Sequence, residues 1–221
     1  MYVRQIDDQV LTFQVSGKLW MRSLVMTDVE TGTEWAHLLG KGMKGQWKGR
    51  VLKPLVTDMV TWGIWKQQHP DSTVLHMPRS ARNYDRTFYK QPEFIVFGFE
   101  VNGESRFISM VDMQASPVLN LELGNIPLVV TYHEPGTVAH LFDRTVNGIT
   151  LTFRQDTVAT MTDQQTSTVW DLLSGQAIEG ELRGEALKPR VGIMSYRRAW
   201  ENFHPQSQSV SAPDSGAEGD Q

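Results

Sequence analysis

The feature that most constrains the fold of this chain is an internal duplication. Residues 28–70 align without a gap with residues 163–205, and 16 of the 43 aligned positions are identical. The identical residues of the first copy are Asp28, Thr31, Thr33, Trp35, Leu38, Gly40, Gly45, Gly49, Leu52, Lys53, Pro54, Val56, Met59, Trp65, His69 and Pro70. The offset of 135 residues is much longer than the roughly 20–50 residues of solenoid repeats, so it indicates two related units in one chain.

Residues kept in both copies are expected to have structural roles, because a single active site needs its special residues only once. Trp35 and Trp65, with their counterparts Trp170 and Trp200, are therefore predicted core residues. Chemistry, if the chain performs any, is expected where the two copies differ.

Two apolar segments, Met59–Gln68 and Met194–Phe203, predict short helices. Each is followed by a His-Pro pair, and proline cannot continue a helix. We therefore predict that His69 and His204 end these helices.

Composition excludes several classes of function. The 221 residues carry a net charge of -4, which argues against a nucleic-acid binder, and the chain has no cysteine for disulfides or thiolate chemistry. No apolar run reaches the roughly 20 residues of a membrane span, and the first residues lack a signal-peptide core. No phosphate-binding glycine motif or nucleophile elbow is present.

Short segments rich in β-branched and aromatic residues predict strands over Val10–Val15, Leu24–Asp28, Phe94–Phe99, Ser105–Met110, Leu128–Tyr132, Val138–Phe142 and Thr150–Arg154. Asn102-Gly103 and Asn147-Gly148 predict hairpin turns, and Val111–Ala115 a further short helix. The expected fold is mainly β, an α+β chain with few short helices, arranged as two pseudo-symmetric tandem β units in one compact chain.

The duplication also suggests domain bounds. We expect a first unit over residues 1–78, a connector over 79–92, a second unit over 93–205 and a disordered tail over 206–221. The connector interleaves cations with aromatic residues, which could bind an anion or nucleic acid, but the negative net charge of the chain favours a strap between the units.

The order of these segments resembles an uncharacterised bacterial family, domain of unknown function, family 3179. The matching residues include Leu11-Thr12-Phe13, Ser16-Gly17, Met26-Thr27-Asp28, Val130-Thr131-Tyr132, Phe142-Asp143-Arg144, Leu151-Thr152-Phe153 and the duplicated positions given above. The resemblance covers roughly residues 2–205 and implies no activity. Where the family's strand carries two cysteines, this chain has His133 and Gly136, so thiol chemistry is not implied either.

The first copy begins late in the family pattern. Tyr2, Arg4 and Ile6 align with Phe142, Arg144 and Val146, so the strand equivalent to Leu128–Leu141 has no counterpart before Met1. Trimming from a longer precursor is one explanation, and filling of the gap by another segment or a second chain is the other. An unpaired edge there could serve a homodimer.

The copies differ most between Phe13 and Asp28, where the first copy has five additional residues. Ser16, Lys18, Trp20 and Arg22 in this stretch combine a hydroxyl, two cations and an aromatic ring, which suits an anionic or flat ligand. The alternative is a longer hairpin that packs Trp20 on the surface.

A second difference is the sequence Tyr132-His133-Glu134, with His140 seven residues later. Imidazole is a common general base, and a neighbouring carboxylate could orient it. Two histidines and a glutamate could also hold zinc, but the spacing matches no strict motif, so we expect neither metal nor cofactor.

Together these patterns predict a protein that binds a small organic molecule and neither nucleic acid nor membrane. The expected location is the cytoplasm, with an exported precursor as the open alternative. The hypothesis is a metal-independent acid–base enzyme of the cyclase, isomerase or hydrolase type. His133, Glu134 and Tyr132 would be catalytic, Arg22 would hold an anionic group, and Trp20 and Trp62 would line the pocket. Ser16 and Lys18 would also bind the substrate. The alternative is a non-catalytic binding or protein-interaction module.

Overall fold

The computed structural model of this protein describes residues 1–74 and 91–211. Strands dominate these residues, and the helices are few and short, so the prediction of a mainly β fold is confirmed. Most of the predicted connector, 79–92, and of the predicted tail, 206–221, lies outside the described residues.

In chain order, the strands are β1 (Gln5–Ile6), β2 (Gln9–Val10), β3 (Phe13–Trp20), β4 (Ser23–Asp28), β5 (Glu34–Ala36), β6 (Lys41–Lys44), β7 (Ile95–Val101), β8 (Glu104–Ser109), β9 (Val118–Leu123), β10 (Ile126–His133), β11 (Val138–Asp143), β12 (Thr145–Val146), β13 (Ile149–Thr150), β14 (Phe153–Gln155), β15 (Thr160–Asp163), β16 (Val169–Asp171), β17 (Ala177–Glu179), β18 (Lys188–Arg190), β19 (Gly192–Tyr196) and β20 (Gln208–Ser209). The α-helices of the described residues are α1 (Trp62–Gln68), α2 (Met110–Ala115) and α3 (Arg197–Phe203).

The chain forms two compact units whose membership crosses the sequence repeat. The first unit comprises Met1–Thr57 and Tyr196–Gln206, and the second comprises the described residues of Asp58–Ser195 and Ser207–Gln221. Helix α1 closes the first sequence copy but belongs to the second unit, whereas α3 closes the second copy but belongs to the first. The two equivalent helices are therefore exchanged.

The first unit is built on an antiparallel sheet in the order β3-β4-β5-β6. Strands β3 and β4 meet in a two-residue turn at Met21 and Arg22, both of which have positive φ, 47° and 65°. The pairing of β3 with β4 also shifts register between Val15 and Leu19, where Gly17 has φ 75°. The additional residues of the first copy thus lengthen this hairpin and form a bulge in it.

The second unit contains the twin of that sheet, in the order β14-β15-β16-β17. The two cores correspond position by position. The pairs are Tyr2 and Phe142, Ile6 and Val146, Leu11 and Leu151, Phe13 and Phe153, Met26 and Met161, Trp35 and Trp170, Trp47 and Leu182, and Leu52 and Leu187. The duplication in the sequence is therefore a duplication of one small hydrophobic core.

A buried polar network explains why four polar or aromatic residues are identical in both copies. One carboxylate oxygen of Asp28 accepts hydrogen bonds from the backbone and hydroxyl of Thr31, at 2.6 and 2.7 Å, and the other accepts from the indole of Trp35 at 2.8 Å. The Thr31 hydroxyl also bonds to that of Thr33. Asp163, Thr166, Thr168 and Trp170 repeat this arrangement.

One repeated glycine shows the same constraint from the backbone. Gly45 has φ 109°, and a Cβ added there would lie 2.8 Å from the Cα of Thr33. Its counterpart Gly180 has φ 106° and stands at the same distance from Thr168. A side chain at either position would be strained and would push on the polar network.

The second unit carries additional layers that the first unit lacks within the described part of the chain. A sheet in the order β18-β11-β10-β9 has one face in the repeated core, through Val129 and Phe142. Its other face packs, through Leu128 and Val130, on β7, β8 and α2. Both faces of β10 are therefore covered, which accounts for its apolar sequence.

The predicted turns and helix ends are present in these elements, whereas one predicted core tryptophan and part of the predicted tail differ. The Asn-Gly hairpins are confirmed as β7–β8 and β12–β13, and His69 and His204 are confirmed as the C-terminal caps of α1 and α3. Of the repeated tryptophans, Trp35, Trp170 and Trp200 are buried, whereas Trp65 is only half-buried. The segment expected to be a disordered tail contributes β20, which pairs in parallel with β8.

Candidate functional site

Three buried polar residues of the second unit, Thr131, His133 and His140, lie on one face of the hairpin formed by β10 and β11. Side chains alternate between faces along a strand, so Thr131 and His133 point away from the face on which Tyr132 lies. Thr131 pairs directly with His140 across the two strands, which places these side chains side by side. All three polar residues are buried, with relative exposures of 0% for Thr131, 8% for His133 and 9% for His140.

His133 is held at the end of β10 by the turn that follows it. The chain forms a single 3-10 turn, Glu134–Gly136, and Thr137 then takes a left-handed conformation with φ 51°. The Nδ1 atom of His133 accepts a hydrogen bond from the backbone of Gly136 at 3.1 Å, so the ring proton resides on Nε2. Burial lowers the pKa of His133, opposed by the charge of Asp171 and assisted by that of His140.

His140 is paired with a carboxylate from the first sequence copy. Its Nε2 atom lies 2.8 Å from Oδ1 of Asp58, and the side chains are 10% and 34% exposed. The hydrogen bond from His140 lowers the pKa of the Asp58 carboxyl, burial opposes that change, and the charges of His140 and His69 add to it. A carboxylate with a lowered pKa is ionised at neutral pH and can only accept, so His140 donates through Nε2.

Two buried polar atoms have no hydrogen-bond partner among the described residues. They are Nδ1 of His140 itself and Oγ1 of the neighbouring Thr131. Because most buried polar groups in proteins are hydrogen-bonded, two such atoms on one face mark a place that can receive a polar group. We call Asp58, Thr131, His133 and His140 the histidine cluster.

Helix α1 brings Asp58 to the cluster. Thr61, the residue before the helix, donates from its backbone to the carbonyl of Gly136 at 3.1 Å and from its hydroxyl to that of Pro135 at 3.4 Å. These bonds fasten the start of α1 to the turn that also holds His133. The helix exchange thus supplies the carboxylate partner of His140.

The structure brings together only part of the predicted catalytic set. His133 lies in the cluster, but Tyr132 is buried, 2% exposed, in the core on the opposite face of the sheet. Glu134 is exposed and takes part in the turn through its backbone carbonyl. The sequence places these three residues in a row, and the alternation of the strand separates them.

The predicted binding residues occur in the first unit, except for Trp62. The Ser16 hydroxyl donates to the carbonyl of Val25 at 2.6 Å, which ties the bulge, and Lys18 forms an ion pair with Glu34. Arg22 lies at the tip of the hairpin. Trp62 is 46% exposed on α1, which belongs to the second unit, beneath the ammonium group of Lys66.

Trp20 borders an open depression in the first unit with a volume of about 530 Å³. Leu39 and Met43 contribute apolar surface to it, and the basic residues Lys41 and Lys48 also belong to its lining. We call this feature the Trp20 depression. Of the four hairpin residues predicted to bind a ligand, Trp20 is the one that lines it.

Asp58 and Thr131 were missed by sequence reasoning. Asp58 is replaced by Ile193 in the second copy, so the divergence of the two copies could have marked it. The contact with His140, however, spans 82 positions in the sequence. Thr131 is a lone polar residue within an apolar strand, a weak signal because a strand threonine is ordinary.

Metal binding has no structural support in the described part of the chain, where no three His, Asp or Glu residues form a group that could hold an ion. Across the same residues, none of the helices has the length and apolar character that a membrane span requires.

The fold and the repeated networks define a mainly β protein made of two tandem units. A family model described as Protein of unknown function (DUF3179) matches residues 1–92 and again residues 90–207. The chain therefore belongs to this family, as the resemblance implied. Neither a search of curated proteins nor a search of solved structures gave a match.

Proposed function

We propose that this protein binds a small polar organic molecule at the histidine cluster and performs acid–base chemistry on it without a metal, as an isomerase, cyclase or hydrolase. One observation carries the proposal: the buried Nδ1 atom of His140 has no partner among the described residues, while Asp58 holds Nε2. Leaving such an atom unsatisfied costs about 1–3 kcal/mol, which a ligand that donates a hydrogen bond to it would recover.

The orientation of the pair supports a base. Because the Asp58 carboxylate accepts a hydrogen bond from Nε2–H, the neutral His140 ring presents a lone pair at Nδ1. When Nδ1 takes a proton from a substrate, the carboxylate already in place at 2.8 Å stabilises the imidazolium that forms. Asp58 is a positioning residue in this scheme, and His140 is the base.

Thr131 narrows the kind of ligand. Its hydroxyl lies beside His140 and lacks a partner within the described chain, and a hydroxyl can donate or accept. A group with an acidic proton and a neighbouring oxygen, such as a hydroxy acid or an enolisable carbonyl compound, would satisfy both atoms. His133, with Nδ1 occupied by Gly136, can exchange a proton only through Nε2.

Entry to the cluster requires movement of the chain that covers it. His140 is 9% exposed, whereas Asp58 retains a third of its side-chain exposure. Because Asp58 is already partly exposed, displacement of Asp58 together with the start of α1, which Thr61 fastens, would uncover His140.

The experiment is a ligand screen by NMR with small hydroxy acids and enolisable ketones. Binding is followed on the histidine imidazole signals, and catalysis is followed as deuterium incorporation from D2O beside the ketone carbonyl. We expect His140→Gln to slow that exchange about 10²–10⁴-fold, the usual contribution of a general base. Thr131→Val should weaken binding, and His37→Gln, in the first unit, should change neither.

A purely structural role of the His140–Asp58 pair would give the opposite result. If no compound perturbs the cluster, and Asp58→Asn and His140→Gln only lower the melting temperature, the pair is a structural clasp for α1. Exchange that persists at the wild-type rate in His140→Gln would likewise reject the assignment of the base.

A second candidate function is a non-catalytic interaction module, and an exposed apolar hairpin favours it. Val15 and Leu19 on β3 are 69% and 73% exposed. Strand β3 is also an edge strand of its sheet, β3-β4-β5-β6. An exposed apolar edge strand favours a homodimer. Sedimentation tests this, because the mass of one chain at all concentrations would reject it.

A further inference from the structure

The Trp20 depression has the character of a binding site separate from the histidine cluster. Trp20, Leu39 and Met43 form apolar walls, and two basic residues, Lys41 and Lys48, complete the lining. All five residues belong to the first unit, and none belongs to the cluster. Its volume of about 530 Å³ lies within the roughly 300–1,000 Å³ of small-molecule sites.

The aromatic wall is fixed in position. The ring of Trp20 meets the ring of Phe203 edge to face, with centroids 5.0 Å apart and an interplanar angle of 75°. Phe203 ends α3, the helix that the second sequence copy contributes to the first unit. Trp20 is nevertheless 39% exposed, so it keeps ring surface for a ligand.

The two lysines are available to an anion. Neither Lys41 nor Lys48 forms a salt bridge with a described carboxylate. Glu34, on the neighbouring strand β5, is already paired with Lys18, whose hydrogen bond is the main reason that the pKa of Glu34 is lowered. The depression therefore has cationic groups with no acidic residue in its walls.

The charge of the whole first unit agrees with this local balance. The unit contains ten Lys and Arg residues against six Asp and Glu, a net charge of +4, in a chain whose net charge is -4. The described residues of the second unit contain seven basic and fifteen acidic residues, a net charge of -8. An anionic ligand is thus attracted to the first unit and repelled by the second.

The twin unit provides an internal comparison. At the positions of Leu39, Lys41 and Ala36, the second copy has Ser174, Gln176 and Asp171. Trp20 lies in the stretch that the second copy lacks. Leu39, the Lys41 ammonium group and the Trp20 ring therefore occur in the first copy alone, whereas Met43 and Lys48 have the similar counterparts Ile178 and Arg183 on the shared scaffold.

We propose that the Trp20 depression binds a small amphipathic anion, an aromatic or aliphatic body carrying a carboxylate or sulfonate. The body packs on Trp20, Leu39 and Met43, and the anionic group meets the ammonium groups of Lys41 and Lys48. This site lies outside the acid–base function proposed above and does not depend on it.

The test uses three probes of one shape and different charge: 2-naphthoate, 2-naphthalenemethanol and 2-naphthylmethylammonium. Each is titrated into the full chain while the Trp20 indole and the backbone amides of Lys41 and Lys48 are followed by NMR. We expect naphthoate to bind tightest and the ammonium compound weakest. Lys41→Gln, which introduces the residue of the twin, should weaken naphthoate about threefold to tenfold and leave the alcohol unchanged.

Two matched variants complete the design. Lys53→Gln removes the same charge from an exposed lysine outside the depression and should leave naphthoate binding unchanged. Trp20→Ala should weaken naphthoate and the alcohol alike, because it removes the shared aromatic contact. Since all three side chains are exposed, the variants are expected to fold, which the amide spectrum verifies.

Three outcomes overturn the proposal. Equal affinity for the three probes would show that the charge of the ligand does not matter. Equal effects of Lys41→Gln and Lys53→Gln would show that the ligand does not bind at the depression. Binding to vesicles of anionic phospholipid without binding of naphthoate would make the same surface a membrane contact instead of a small-molecule site.

Discussion

At the scale of single residues, the shared scaffold depends on one buried carboxylate in each unit. Asp28 is 1% exposed and accepts hydrogen bonds from Thr31 and Trp35. Burial raises the pKa of Asp28, but the hydrogen bonds from Trp35, Thr31 and Thr33 outweigh it and leave the pKa below its ordinary value. The ionised form is therefore the one that the fold requires.

Replacing this carboxylate by an amide tests the network. Asp28→Asn replaces one acceptor oxygen by an NH2 donor that faces other donors, so we expect a loss of about 2–4 kcal/mol in the free energy of unfolding, measured by urea denaturation. Asp163→Asn should cost a similar amount in the second unit. Asp7→Asn, at an exposed position, is the control, and an equal loss there would show that the network has no special role.

The lowered pKa of His133 predicts that the stability of the protein depends on pH. Burial lowers its pKa below the ordinary 6.5, so the unfolded chain binds a proton more readily than the folded one. The contribution of His133 is therefore lost as the pH falls from about 6.5 toward its folded-state pKa and is retained above that window. An NMR titration should give a folded-state value for His133 below 6.5, and a value above it would contradict the burial argument.

At the scale of elements, sequence signals were reliable where turn chemistry is specific. The Asn-Gly turns and the His-Pro helix ends were predicted, because few residues fit a left-handed turn or stop a helix. Strands β5, β6, β16 and β17 were missed, since each has only three or four residues and half-polar sequence, and the six-residue strand β9 was missed as well. The predicted strand Val10–Val15 joined the end of β2 to the start of β3 and stopped before the bulge, which breaks the alternation on which the prediction relied.

Two glycines separate backbone freedom from packing. Gly63 in α1 and Gly17 in the bulge both have open space where a Cβ would stand, but only Gly17 has positive φ, 75°. Gly63→Ala should stabilise the protein by about 0.5–1 kcal/mol through helix propensity, whereas Gly17→Ala should destabilise it by about 1 kcal/mol. Thermal unfolding of both variants measures the difference, and a shift of the same sign in both would refute the assignment of α1 or of the bulge.

At the scale of the whole molecule, the sequence predicted the duplication but not the exchange of helices. Similarity between residues 28–70 and 163–205 shows that two segments fold alike, not which unit each one joins. The same limit applies to the histidine cluster: His133 and His140 were recognisable as neighbours on a hairpin, whereas Asp58 reaches His140 only through the exchange of α1. Long-range pairing is set by tertiary packing, which local patterns do not encode.

The exchange has a consequence for divided chains. Residues 1–78 and 79–221 can be produced as separate polypeptides in one cell. The first fragment then lacks α3, which belongs to the first unit, and the second fragment lacks α1, which belongs to the second unit. We expect the two fragments to co-purify as a one-to-one complex with the spectrum of the intact protein. Two fragments that purify apart, each folded and monomeric, would show that the helices are not exchanged.

The proposed base requires the ring proton of His140 to be on Nε2, and long-range ¹H–¹⁵N NMR of the imidazole nitrogens measures this directly. In the neutral ring we expect the proton on Nε2, facing Asp58, and an Nδ1 resonance that shifts when a ligand binds. A neutral His140 ring that carries its proton on Nδ1 would leave no lone pair at that atom for a substrate proton and would contradict the proposed function.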